Sequence, residues 1–207
     1  MAITLTFDLN DRDLEHFTSA MERARKTAEG KSDEDVIGAA AKMLEDAQKA
    51  YLPDFIRQRL VRLDDMIAMI RDTSWNMSAE DRARVLSALV YFSDPVDVIP
   101  DHIEVLGYFD DAIMIELSVR ELKHELDAYD DFCDFREREA IKRGSNPSTV
   151  GRTDWLESRR EELTERMHQR RERDFGVGYG GSSGYGRSGS GLSGGYARAW
   201  RPGVFKW

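Results

Sequence analysis

Residues 93–112 read SDPVDVIPDHIEVLGYFDDA. Six of these twenty residues are acidic, two are Pro and one is Gly, yet the stretch lies between two apolar runs, VLSALVYF (85–92) and IMIELSV (113–119). Local chemistry accounts for much of the pattern. Asp94 suits a helix N-cap, Pro95 the first helical position, and Asp97 the first turn, where the helix dipole favours a carboxylate. Pro100 disfavours helical geometry at Ile99 and ends that turn. Gly107 fits a turn with positive φ, and Asp110 or Asp111 then caps the next helix. Val96, Val98, Ile99, Ile103, Val105, Leu106 and Phe109 plug the space between the flanking helices. The stretch therefore predicts an ordered connector that folds the chain back into a helical hairpin.

The same fold-back supports a chemical reading. Asp97, Asp101, Asp110 and Asp111, with Asp94 as a further candidate, would converge at one end of the hairpin. Carboxylates at close range repel unless a cation intervenes or one stays protonated. An all-oxygen set suits a hard ion, Mg²⁺ or Ca²⁺. The spacing matches no calcium-binding loop. His102 beside Asp101 and Glu104 hints at a transition metal, but there is no HExxH and no second nearby His, which argues against zinc.

Outward from this stretch the periodicity is helical. Asn10 or Asp11 caps a helix that runs to Gly30. Ser32 opens a second, with Val36, Ala40, Met43, Leu44 and Ala47 as its apolar stripe. Pro53 begins a third, in which Ile56, Leu60, Leu63, Ile67 and Ile70 keep the spacing of one helical face. Ser78 with Asp81 resembles a capping box ahead of a fourth. After the connector, one helix runs on through Leu126, and Tyr129 to Arg143 forms another segment. Residues 2–9, AITLTFDL, alternate apolar and polar as a strand does. A lone strand needs a partner for its backbone groups, so these residues are expected either to lie as an extended arm on the helices or, the favoured reading, to pair with a second copy in a homodimer.

GSNPSTVG (144–151) has linker composition, and a highly charged helix follows over 152–175, expected to lie exposed on most sides. Residues 176–207 are rich in Gly, Ser, Tyr and Arg, a composition that cannot bury enough apolar surface to offset backbone ordering. Its last residues gather Trp200, Arg201, Phe205 and Trp207, which read either as a sticky disordered end or as aromatic anchors and a cation that dock into a groove of the chain's own acidic body or of a protein partner. The expected organisation is a helical domain over 1–143, a linker, a charged helix, and a disordered tail.

The chain has 207 residues and a net charge of −9, and the four cations of 176–207 face no acid, so the preceding 175 residues carry −13. Such a body repels a nucleic-acid backbone, while the tail can stack weakly on single-stranded RNA. The single Cys, Cys133, excludes an internal disulfide framework and points to a reducing compartment, the cytoplasm. No basic, apolar leader opens the sequence. The longest uncharged run near the centre, 85–93, falls far short of the roughly 20 residues that span a bilayer.

With those residues in view, ALVYFSDPVDVIPDHIEVLGYFDDAIMIELSVREL (88–122) resembles the core of the YkvA-like bacterial domain of unknown function. That pattern is an apolar helix, S-P-x-D-x-I-P-D, an apolar stretch with L-G-x-x-D-D, and a second apolar helix. Asp97, Ile99, Pro100, Asp101, Leu106, Gly107, Asp110 and Asp111 fall on it; Asp94 is an addition between Ser93 and Pro95. The resemblance supplies no catalytic residues. Many relatives look membrane-embedded; here His102, Glu104 and Glu116 interrupt the apolar run and disfavour a membrane role.

Other chemistry finds little footing. Cys133 sits among acids that oppose a reactive thiolate, and reads as a packing residue. His16, His124 and His168 read as surface residues. No phosphate loop or dinucleotide fingerprint is present, and no cofactor is expected beyond the candidate ion. These readings favour a non-enzymatic interaction or scaffold protein with a self-associating helical body and a partner-tethering tail. A divalent-metal enzyme built on the Asp cluster and a peripheral inner-membrane protein are the alternatives.

Overall fold

The computed structural model describes residues 10–94, 99 and 107–176. Within them the fold is all helical: α1 (Asp11–Thr27), α2 (Asp33–Lys49), α3 (Asp54–Arg71), α4 (Ala79–Leu89), α5 (Phe109–Glu121), α6 (Lys123–Lys142) and α7 (Asp154–Gly176), with short 3-10 turns at Val90–Ser93 and Pro147–Thr149. No strand occurs among the described residues. Residues 2–9, expected to be a strand, and the Gly-rich stretch from 177 onward lie outside them.

The helix starts follow local chemistry. The Asn10 and Ser32 side chains accept from backbone N–H groups of α1 and α2, and Asp13 and Asp35 reach back to complete capping boxes. Ser78 accepts from the Asp81 N–H at the start of α4. α3 starts just after Pro53, which makes no side-chain cap bond. At the far end of α6, Gly144 adopts φ +68, and the Ser145 N–H reaches the Ala140 carbonyl at 2.8 Å. That closure needs a left-handed residue, which Gly adopts without strain.

α3 is the hub. Its predicted stripe, Ile56, Leu60, Leu63, Ile67 and Ile70, is wholly buried, and α2, α4, α5 and α6 all pack against it. The two helices flanking the connector thus take different principal neighbours: α5 lies on α3, and α4 on α2. They are joined at their connector-side ends, where the 3-10 turn after α4 meets the first turn of α5.

Three expectations are corrected. The break in the long helix after the connector falls at Leu122 (φ −97, ψ 20) rather than near Tyr129. Leu122 is buried, and hydrogen bonds from its N–H to Ser118 and to its carbonyl from Leu126 bracket it, so the chain bends without leaving the helical path. Asp110 and Asp111 lie inside the first turn of α5, not at its cap; Tyr108 holds the cap position and makes no side-chain cap bond. The charged helix α7 does not stand apart. Leu156, Leu163 and Met167 are buried in the same core as α3, and α7 packs along α6. Trp155 lies between the Phe135 ring, 6.0 Å between centroids, and the Arg143 guanidinium, 4.4 Å from its own. Few apolar side chains suffice here because they share one stripe and the charged remainder faces water or pairs with α4 and α6.

Candidate functional site

Three polar clusters are set into the fold. The first lies at the connector. Asp110, 1 % exposed, accepts on a single oxygen from the Tyr91 hydroxyl at 3.2 Å and from the Ile99 N–H at 2.9 Å. It thereby ties α5 to the turn after α4 and to the connector backbone. Asp111 beside it is also buried. Asp94 ends the 3-10 turn, its N–H on the Tyr91 carbonyl. Lys31, from the α1–α2 turn, donates to the Ser93 carbonyl and, at 3.3 Å, to its hydroxyl. Asp97 and Asp101 lie outside the described residues. Among the described residues, no three His, Cys, Asp or Glu side chains are grouped to hold a metal ion.

The second cluster is buried between α3 and α6. One oxygen of Asp72 accepts from the Ser74 and Trp75 N–H groups, shaping the turn after α3. The other accepts from the Tyr129 hydroxyl at 3.1 Å and from Arg136 at 2.8 Å. A second Arg136 nitrogen donates to the Cys133 sulfur at 3.4 Å. Trp75 packs against Phe132 and Tyr129, with centroids 5.0 and 5.8 Å away. Burial above all, with the neighbouring Cys133 and Asp72 acting in the same direction, pushes the Tyr129 hydroxyl well above its ordinary range. For Arg136, burial lowers the pKa, but its neighbours Cys133 and Asp72, the latter also hydrogen-bonded to it, outweigh that and raise it. Cys133 is fully buried, in keeping with a packing role.

The third cluster fastens α7. Asp81, near the start of α4, accepts from the Ser78 hydroxyl at 2.7 Å, from Arg171 at 2.7 Å and from His168 Nε2 at 2.9 Å. An ionised carboxylate can only accept, so this His nitrogen carries the proton. The same Arg171 nitrogen reaches Glu125 of α6 at 3.2 Å, where Arg84 of α4 also donates at 2.9 Å, and its other terminal nitrogen holds Glu80. Burial raises the Asp81 pKa, but the hydrogen bonds from His168, Ser78 and Arg171 win and hold it below its usual value. Arg171 is shifted the opposite way: burial lowers it, and Asp81 and Glu125 more than restore it. His124 Nε2 lies 2.7 Å from Asp174, and Arg166 donates to Asp131. His168 and His124 thus tie α7 to the body rather than idling at the surface.

Neither of the last two clusters was legible as a unit. Arg136 does leave a trace: it recurs in phase with Tyr129, Phe132, Cys133 and Ala140, so a cation sits where the α6 stripe calls for an apolar residue. The residues expected to meet a partner, Trp200, Arg201, Phe205 and Trp207, lie outside the described residues. Among the described residues, no helix is long and apolar enough to cross a membrane.

Comparison with known proteins agrees with this emphasis on the connector. No curated protein and no solved structure matches the chain. A family model described as "Protein of unknown function (DUF1232)" matches residues 81–117, the segment from Asp81 at the head of α4 through the connector to Leu117 of α5.

Proposed function

We propose that this chain is a non-enzymatic interaction protein of the cytoplasm, of the YkvA-like type, in which a helical body carries a partner-tethering tail. The subtype reading rests on Asp97, Ile99, Pro100, Asp101, Leu106, Gly107, Asp110 and Asp111. One observation carries the functional reading: the two buried ion-pair networks, at Asp72 and at Asp81 with Glu125, hold helices together. Asp72 with Arg136 joins α3 to α6, and Asp81 and Glu125 with Arg171 join α4 and α6 to α7. Catalytic carboxylates and histidines work with a reacting group in reach; these face one another across helix contacts. α7 leads directly into the acid-free tail with Trp200, Arg201, Phe205 and Trp207.

The test is affinity capture with the full chain and with a variant replacing Trp200, Arg201, Phe205 and Trp207 by Ala. The variant is expected to lose the specific partners. An unchanged set of captured proteins, at equal bait folding, would end the tethering reading. Residues 2–9 are proposed to mediate self-association, checked by light scattering of the full chain against Ile3→Asp/Leu5→Asp.

A second reading has its own observation: Asp110 and Asp111, adjacent in sequence, are both buried in the first turn of α5. With Asp97 and Asp101 they could hold Mg²⁺ or Ca²⁺. Binding to the folded state alone raises stability, by about 2.7 kcal/mol at a hundredfold excess over Kd. Melting curves in EDTA and in millimolar Mg²⁺ or Ca²⁺ decide it: an upward shift is expected if the ion binds, and superimposed curves exclude the site.

A further inference from the structure

α7 is held by two different means along its length. Its first half is anchored by Leu156, Leu163 and Met167 in the core. The next seven residues, 168–174, read HQRRERD and contain no apolar side chain. Those two turns are fastened by charge: His168 and Arg171 on Asp81, Arg171 also on Glu125 and Glu80, and Asp174 on His124. The carboxylates at the centre, Asp81 and Glu125, are almost wholly buried, whereas the Arg171 side chain is 13 % exposed and His168 34 % exposed. Water and salt therefore reach the cations first. Apolar burial is little affected by salt, while ion pairs at a solvent edge weaken as it rises.

We propose that residues 168–174 form a charge-fastened latch, which holds the root of the tail against α4 and α6 and opens while the apolar half of α7 stays docked. The latch belongs to the fold alone. Its consequence, that opening lengthens the reach of the tail, rests on the tethering reading above. Opening lifts Arg171 from Asp81 and Glu125 and leaves Arg84 as the remaining cation on Glu125.

Hydrogen–deuterium exchange on the full chain tests the latch without a partner. Between 50 mM and 500 mM NaCl, amides of 168–174 are expected to exchange several-fold faster while those of 156–167 keep their protection. Arg171→Gln at low salt should reproduce the high-salt pattern. Because Arg171 touches three carboxylates and its loss could disturb more than the latch, His168→Gln provides a milder second variant, with a smaller change in the same amides. Equal response along the whole of α7, or no response in 168–174, would overturn the proposal. Partner capture does not enter this readout, so failure of the tethering reading leaves the latch standing, and the reverse.

Discussion

At the scale of single residues, Asp110 decides between two uses of the acidic connector. Its carboxylate oxygen takes the Tyr91 hydroxyl and the Ile99 N–H. Hydrogen bonds to a charged group contribute about 1.5–3 kcal/mol each, and a buried donor left unpaired costs about 1–3 kcal/mol. Asp110→Ala is therefore expected to destabilise by about 4 kcal/mol in urea unfolding in ion-free buffer, and Asp110→Asn, which keeps an accepting oxygen, by about half that. A carboxylate whose main task was to bind an ion would behave oppositely, since removing it without the ion relieves repulsion. An Asp110→Ala protein within about 1 kcal/mol of wild type would thus refute the anchoring role. The sequence disclosed that Asp110 belongs to a cluster of turn-forming acids, but not its partners. Tyr91 lies 19 residues away, and no local rule pairs a Tyr with an Asp at that distance. The same holds for Asp72 and Arg136, 64 residues apart.

At the scale of elements, α4 and α7 are coupled through one buried carboxylate. The Asp81 pKa lies below the ordinary carboxylate value because His168, Ser78 and Arg171 outweigh the cost of burial. A carboxylate depressed in the folded state binds fewer protons there than in the unfolded chain. Its stabilisation is thus complete above the unfolded pKa and drains away as pH falls through the folded one. Asp81→Asn should be less stable at pH 7 by about 3 kcal/mol, since it removes the buried carboxylate that His168 and Arg171 share and leaves Arg171 to Glu125 and Glu80 alone. Its loss of stability on acidification below pH 4 should also be shallower than that of wild type. Urea midpoints from pH 2 to 7 check both; parallel acid limbs would show that Asp81 carries no linked proton. Helix starts at Asn10, Ser32 and Ser78 were readable because a cap is a four-residue affair, complete within its own sequence window. The bend at Leu122 was not, because no Gly, Pro or cap residue marks it and the flanking hydrogen bonds persist through it.

At the scale of the whole molecule, the question is whether α7 is an appendage or part of the domain. Its composition suggests an appendage: of residues 154–174, only Trp155, Leu156, Leu163 and Met167 are apolar. The fold places three of these in the common core, and the acids and arginines that make the helix look solvated include the ones that reach Asp81, Glu125 and Asp131. Charge content misleads here because a pairing residue and a solvated one are identical in sequence. If α7 is integral, truncating its central anchor must be felt throughout. Leu163→Ala removes a fully buried side chain, and such a change costs about 2–5 kcal/mol in lost transfer energy and residual cavity. The expected result is a single unfolding transition displaced by about 3 kcal/mol, with Trp75 and Trp155 fluorescence and far-UV circular dichroism moving together. Trp75 lies beside Tyr129 in the α3–α6 core and Trp155 on α7, so a Trp155→Phe/Trp200→Phe/Trp207→Phe background, which leaves Trp75 as the single Trp, tells which unit responds. An appendage would show two transitions, with the Trp75 signal unmoved by Leu163→Ala, and the seven helices of the described residues would then not be one cooperative body.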